Sequence, residues 1–420
     1  MISLWVAVIG DDLTGICDTG APFASAGLHT LGLVHPASRF TKTPEVLLVN
    51  TQSRRMEPQD ASQAVKQATE GLKKENQPRW LFKKIDTALR GNLSAEVISA
   101  MEASGVCLAL LVAAIPKANR STVRGCQFLR GKPITDSILG KDKLNPDPVV
   151  TSRVADLFQG LPNVVTEEVG LDKVRSESFV ISPPSVGRVK TIRIFDAETE
   201  RDIDRIVAAS MKLEPSSFLF VGASGLAGSF ARSLQDLPFA KPFPETADKI
   251  IRTGRILIVS GSPHPVSRSQ IAYLERRGSA TIFELDPEKL LQHPERCLQG
   301  AIKECKAALE RSGRAVLTLG DDKRGIVLPA QELSLSLSRL VQNLLDRVEV
   351  EGLVLVGGET SYAICRALGI ETVEIYGAIS SVAAYGRPLG SSEGMKVLVT
   401  KGGSLGKEDL LEGILNFLSK

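Results

Sequence analysis

The chain alternates short apolar runs with longer stretches in which apolar residues return every three or four positions. In the first half, the runs Leu4–Ile9, Val46–Asn50, Trp80–Ile85, Cys107–Ala113 and Phe218–Val221 read as strands. Between them, Ile16–Ala26, Pro58–Lys74 and Leu93–Ala103 carry a helical period, with Ser94, Glu96 and Ser99 expected on the outer side of the last. Strands that alternate with helices predict βαβ units and mainly parallel sheets. The segment Leu237-Pro238-Phe239-Ala240-Lys241-Pro242-Phe243-Pro244 breaks the pattern, because its three prolines deny it both helix and strand. The alternation then restarts, with strands expected at Ile256–Val259, Thr281–Leu285, Ala315–Leu319, Leu353–Val356 and Lys396–Thr400. Helices are expected at Pro265–Arg277, Pro294–Ser312, Leu333–Val348 and Lys407–Leu418. The expected fold is α/β: an N-terminal domain at 1–235, a linker at 236–254 and a C-terminal domain at 255–420, with a cleft between the domains. A length of 420 residues agrees with two cores rather than one.

Composition narrows the function class. Hydrophobic residues at 43% and charged residues at 24% describe a globular chain. A net charge of +3 is too small to argue for nucleic acid or a membrane surface, and neither is expected as a partner. No apolar run approaches the roughly 18 residues of a membrane span, and the first residues lack the pattern of a signal peptide. The six cysteines form no C-x-x-C pair and read as reduced thiols of a cytoplasmic protein, and the four histidines are not spaced as zinc ligands.

Five turns carry candidate chemistry. Ile9-Gly10-Asp11-Asp12-Leu13-Thr14-Gly15 places two acids where a strand gives way to a helix, which is where open α/β sheets bind ligands. The acids could act on a substrate hydroxyl or hold a metal; the same residues also suit a simple helix cap. Lys83-Lys84-Ile85-Asp86-Thr87-Ala88-Leu89-Arg90-Gly91-Asn92 sits at a second strand end, where Arg90 could grip a carboxylate or phosphate and Asn92 adds donors. A salt-bridged surface turn is the plain alternative. Val259-Ser260-Gly261-Ser262-Pro263-His264, Gly357-Gly358-Glu359-Thr360-Ser361 and Lys401-Gly402-Gly403-Ser404-Leu405-Gly406 each follow an expected strand and open a helix. Such turns bring backbone N–H groups close to phosphate, and three of them in one domain point to a polyphosphate. His264 has no evident partner and is read as structural. Gly222-Ala223-Ser224-Gly225-Leu226-Ala227-Gly228 lacks the dinucleotide-binding spacing and reads as a strand-to-helix turn, and no P-loop occurs. The adjacent acids do not match the Asp-x-Asp of aspartyl-phosphate phosphatases. The long segment Ala114–Pro148, rich in Gly, Pro, Lys and Arg, reads as a loop, and loops of that length are often functional.

Taken in order, Asp11-Asp12-Leu13-Thr14-Gly15 with Asp18-Thr19-Gly20, Asp86 to Asn92, Gly357 to Ser361 and Lys401 to Gly406 resemble the four-carbon acid sugar kinase family over nearly the whole chain. The resemblance implies an N-terminal acid-sugar-binding domain and a C-terminal ATP-binding domain. It implies phosphorylation of the terminal hydroxyl of threonate, erythronate, 3-oxo-tetronate or another small sugar acid. It places Asp11, Asp12, Asp86, Arg90, Gly91 and Asn92 at the acid sugar, and Ser260, Ser262, Gly357, Gly358, Glu359, Thr360, Gly402 and Gly403 at ATP. This chain departs from the family pattern at Ile16-Cys17, at Pro263-His264-Pro265-Val266-Ser267 and at Asp86-Thr87-Ala88-Leu89, where Ala88 replaces a commoner hydroxyl residue. These departures bear on the choice of substrate rather than on the reaction class.

The expected mechanism has Asp12 or Asp11 accept the proton of the attacking hydroxyl, Arg90 and Asn92 hold the substrate, and Mg²⁺ with the glycine turns hold the triphosphate. A homo-oligomer is left open. The rival readings are a non-catalytic sugar-acid or nucleotide sensor, and a phosphosugar isomerase or aldolase.

Overall fold

The computed structural model of the chain describes residues 4–40, 43–141, 148–183, 189–235, 252–320, 329–390 and 394–419. The proline-rich segment and most of the expected linker fall at 236–251, outside the described residues. The chain divides into two compact units, Met1–Thr246 and Ala247–Lys420.

In the first unit eight strands form one parallel run in the order Thr30–Leu33, Val46–Asn50, Val6–Gly10, Trp80–Lys84, Leu219–Gly222, Leu108–Val112, Lys190–Phe195 and Val164–Val169. The strands Val6–Gly10, Val46–Asn50 and Leu108–Val112 are buried at every position. That is the signature of a parallel sheet covered by helices on both faces, and it explains why their sequences are continuous apolar runs. Helices Leu13–Ser25 and Ser224–Gln235 pack together under the sheet, where Phe230 meets Phe23 at 5.8 Å, Trp80 at 5.6 Å and Phe220 at 4.8 Å between ring centroids. After the strand Val6–Gly10 the chain builds outward to one side, then crosses to Trp80–Lys84 on the other. The strand order therefore reverses beside Val6–Gly10, and the crevice at the carboxyl ends of these two neighbours is the natural ligand position.

Two expectations are corrected here. The segment 114–148 is not a plain loop: it carries a three-stranded antiparallel sheet, Arg120–Val123, Cys126–Leu129 and Lys132–Pro133. Its turns at Arg124-Gly125 and Arg130-Gly131, which have positive φ, hid the short strands. Glu96 and Ser99 do not lie on the outside of their helix Leu93–Ser104; they are buried, at 2% and 3% exposure. Glu96 is tolerated there because Lys83 Nζ lies 2.8 Å from its Oε2 and Ser53 donates to its Oε1 at 2.7 Å.

In the second unit the strands run Thr281–Leu285, Arg314–Leu319, Ile256–Ser260, Gly352–Val356 and Val397–Lys401 in parallel, followed by the antiparallel pair Ala383–Gly390 and Ile370–Ser380. One face of this sheet packs Ile256, Ile258, Val354, Val356, Val397 and Val399 against Ile271, Leu274, Leu411, Ile414, Leu415 and Leu418 of the helices Pro265–Arg277 and Leu410–Ser419. Here too the strand order reverses, between Ile256–Ser260 and Gly352–Val356. Among the described residues all six cysteines are free, no helix is long and apolar enough to cross a membrane, and no group of three metal-ligating side chains occurs.

Candidate functional site

The first cluster forms because Ile9 and Lys83 are cross-strand partners. One residue further on, the chain leaves both strands, so Asp11-Asp12 and the Asp86 turn emerge side by side. Asp12 caps the helix Leu13–Ser25: its Oδ1 accepts from Gly15 N and its Oδ2 from the Thr14 hydroxyl, both at 3.0 Å. The helix-cap reading of the sequence thus holds for Asp12. Lys84 Nζ sits 3.0 Å from Asp11 Oδ1 and 3.0 Å from Asp12 Oδ1. Arg54 donates from Nε to Asp11 Oδ2 at 2.7 Å and from Nη1 to Asp12 Oδ2 at 3.0 Å. A Cβ at Gly15 would collide with both Lys84 Nζ and Asp12 Oδ1, so only glycine lets the ammonium reach the acids.

Burial by itself would raise both carboxyls. The guanidinium of Arg54 and the ammonium of Lys84 overcome it, holding Asp11 well below, and Asp12 below, the usual carboxylate range. The same pairing holds Arg54 and Lys84 charged despite their burial. Asp18, further along the same helix, lacks such a strong pair, and burial pushes it up to about 6.

Asp86 is bound by Arg90, whose Nε donates to Oδ2 at 2.6 Å, whose Nη2 donates to Oδ1 at 3.2 Å and whose backbone N donates to Oδ2 at 3.3 Å. Burial works against it, but Arg90 and Arg54 keep Asp86 ionised far below its usual value. The Arg90 fork expected to grip a substrate carboxylate is thus occupied by Asp86. Asn92 is likewise engaged: its Nδ2 donates to Ser53 O at 3.1 Å and to Met56 O at 2.8 Å. Gly91, at φ +76°, sets its turn against Arg54. Arg54 lies outside the candidate turns of the sequence. Its one signal is position, in the loop that follows the strand Val46–Asn50.

The second cluster joins the three glycine-bearing turns. Ser260, Val356 and Lys401 lie in register on adjacent parallel strands, so the turns that follow them leave the sheet together. A Cβ at Gly403 would lie 3.0 Å from Ser262 Cβ, and one at Gly357 would lie 3.6 Å from it. Ser267 donates to Gly403 O at 2.6 Å, and Gln270 Nε2 to Leu405 O at 3.1 Å and Lys407 O at 2.8 Å, tying the third turn to the helix Pro265–Arg277. Gly357, at φ 107°, precedes the helix Gly358–Ala367, which places Gly358, Glu359 and Thr360 in its first turn. A helix N-terminus offers free N–H groups and a positive dipole end to an anion. His264 is a cap: its Nδ1 accepts from Val266 N at 3.1 Å. The buried Ser260 Oγ, Thr400 Oγ1, Gln270 Oε1 and Lys401 Nζ have no hydrogen-bond partner among the described residues. Buried polar atoms are rarely left so, and these four lie near the three turns. Burial pulls the Lys401 ammonium down to about 7.

Two family models match the chain. The family model for a sugar-binding N-terminal domain matches residues 6–230, and that for a nucleotide-binding C-terminal domain matches residues 257–411. The chain belongs to the four-carbon acid sugar kinase family. Among the relatives of this kinase-family chain, a D-threonate kinase of Salmonella typhimurium is 28% identical over 98% of both chains. A D-erythronate kinase of Heliobacterium modesticaldum is 27% identical, covering 96% of this chain and 94% of its own. A 3-oxo-tetronate kinase of Methylobacterium radiotolerans is 24% identical over the full length of both. A crystal structure of a Haemophilus influenzae protein shares the fold with a TM-score of 0.69 and 20% identity, over 98% of this chain and all of its own.

Proposed function

We propose that this protein is an ATP-dependent kinase of a small sugar acid, phosphorylating the terminal hydroxyl of a four-carbon substrate of the threonate, erythronate or 3-oxo-tetronate type. The observation that carries the reading is the pairing, in one chain, of a sugar-binding half and a nucleotide-binding half, in the order found in relatives that are kinases of these acids. The sensor and isomerase readings draw no comparable support.

In this reading, the turns of Asp11-Asp12, Asp86, Arg90, Gly91 and Asn92 surround the acid sugar. Asp86 and the acid pair meet its hydroxyls, while Arg54, Lys84 and Arg90 fix these carboxylates in place. Ionised carboxylates are in the form that accepts a proton: Asp11, with one donor on each oxygen, has room for the attacking hydroxyl, whereas Asp12, with two donors on each, would exchange one of them for it. Asp12 or Asp11 takes its proton as the hydroxyl oxygen bonds to the γ-phosphorus and the bond from that phosphorus to the bridging oxygen breaks, releasing ADP, a step that asks little base strength when the transition state is loose. Ser260, Ser262, Gly357, Gly358, Glu359, Thr360, Gly402 and Gly403 receive the nucleotide, with backbone N–H groups and the Lys401 amine directed to its phosphates. Asp11 and Asp12 are already matched by two cations, so they do not fit a resident metal ion. Mg²⁺ accordingly belongs to the substrate, arriving on the triphosphate it neutralises.

The test is ADP release across a panel of four-carbon sugar acids. A member of the panel should drive turnover, and ATP without a sugar acid should not. Asp12→Asn should lose kcat and keep its affinity for ATP. Turnover close to wild type in that variant removes Asp12 from the chemistry.

A further inference from the structure

The segment 114–148, expected from sequence as a long loop, contributes no residue to the proposed mechanism. It contains Arg120, the first residue of its small sheet. The backbone N and O of Arg120 both bond Ile115, at 3.1 and 3.0 Å, which fixes the residue beside the end of the strand Leu108–Val112. Its Nη1 donates to the Thr87 hydroxyl inside the Asp86 turn. Gln127 in the next strand of the hairpin donates from Nε2 to Thr87 O at 3.1 Å and to Ala113 O at 3.0 Å, so the hairpin is pinned onto that turn.

The cations around this turn differ in one respect. Arg54 and Lys84 are matched by Asp11 and Asp12, Arg90 by Asp86, and Lys83 by Glu96. Among the described residues no carboxylate stands within ion-pair distance of Arg120, although it is only 5% exposed. The charges that act on it are Asp86, which is committed to Arg90, then Arg90 itself, which repels it, and Asp18. Burial dominates and lowers its affinity for the proton. A guanidinium has five N–H donors in a fork that fits a carboxylate, and a buried charge without an acid to pair with is a cost that a fold rarely carries without use.

We propose that Arg120 receives the carboxylate of the sugar acid, with the Asp86 turn reading the adjacent hydroxyls. This rests on the sugar-acid reading of the site and assigns to Arg120 the role that Arg90, already engaged, does not fill. The ligand class it selects is a small α-hydroxy carboxylate over the neutral polyol of the same length.

Two measurements on the full-length protein test it: calorimetric binding of D-threonate, D-erythronate, 3-oxo-tetronate and neutral threitol without nucleotide, and thermal unfolding of the free protein. Arg120→Gln should weaken binding of the preferred acid by about 10- to 100-fold, the worth of a charge-assisted pair, while threitol binding stays within about twofold. Arg120→Lys should recover part of the loss. The melting temperature of free Arg120→Gln should not fall, because no carboxylate is left unpaired. Unchanged acid binding in Arg120→Gln overturns the proposal, as does equal loss of acid and polyol or wild-type binding of none of the acids. A wild-type protein that binds an acid through Arg120 yet releases no ADP sinks the kinase reading and leaves this assignment standing.

Discussion

At the scale of single residues, the two units use charge in opposite ways. In the first, nearly every buried cation is matched by an acid, and in the second Lys401 is left without a partner among the described residues. An unfolded chain titrates this amine near 10.5, and burial brings it down to about 7 in the fold. Between those values the unfolded chain binds more protons, so stability rises with pH across that window, and the penalty is full below about 7. Lys401→Met removes the group. Its ligand-free melting temperature should exceed that of wild type at pH 7, and the difference should shrink towards pH 10. Its stabilisation by ATP should be smaller than that of wild type. A variant that melts lower at pH 7 and responds to ATP undiminished would show that the lysine is a structural element instead. Such matching is hard to read from sequence. Arg54 and Asp11 are 43 residues apart, and Lys84 and Asp11 are 73 apart. The acids announced themselves by standing at a strand end. Lys84 follows from the register of Ile9 with Lys83, and Arg54 from that of Gly10 with Asn50.

At the scale of elements, the hydrophobic pattern carried most of the architecture. The strand Val46–Asn50 and the helices Pro265–Arg277 and Pro294–Ser312 have the expected bounds, because each is bracketed by proline, glycine or polar turns. The pattern also leaves out Lys190–Phe195, Ile370–Ser380 and Ala383–Gly390, and two further omissions have physical reasons. Thr30–Leu33 is four residues long and includes Gly32, and Val164–Val169 is a mostly exposed edge strand with two glutamates. The error at Glu96 has a different origin, since a charge on a helix is normally a solvent-facing residue. Here it joins its helix to the strand Trp80–Lys84 through Lys83. Replacing Lys83 alone with Met should cost about 3–5 kcal/mol, because Glu96 stays buried without its cation. The double variant Lys83→Met/Glu96→Leu should lose much less than the sum of the single losses. Both tryptophans, Trp5 and Trp80, lie in the first unit, so urea unfolding followed by their fluorescence reports on the unit that holds the pair. Additive losses would mean that the ion pair does not couple these two elements.

At the scale of the whole molecule, the two units each bury their own core and each place their candidate residues at the carboxyl ends of parallel strands, beside a reversal of strand order. In the proposed reading the same geometric solution serves two ligands of different chemistry. One end presents fixed carboxylates and guanidinium groups suited to hydroxyls and a carboxylate. The other presents backbone N–H groups, hydroxyls and one amine suited to phosphates. This separation makes a prediction that activity alone does not test. In hydrogen exchange on the full-length protein, ATP without sugar acid should slow the amides of Ser260 to Ser262, Gly357 to Thr360 and Gly402 to Gly403. The effect should be of the order expected from mass action, about 2.7 kcal/mol at a hundredfold excess over Kd. A sugar acid without ATP should instead slow Asp11 to Gly15, Ser53-Arg54, Asp86 to Asn92 and the hairpin that begins at Arg120. Protection by ATP concentrated at Asp11 to Gly15 and Asp86 to Asn92 would reverse the assignment of the two halves. Protection of the Asp86 turn by sugar acid without the Arg120 hairpin would place the carboxylate elsewhere in the first unit. The hairpin is the most discriminating segment, because its own strands are short and its attachment to the turn runs through Thr87.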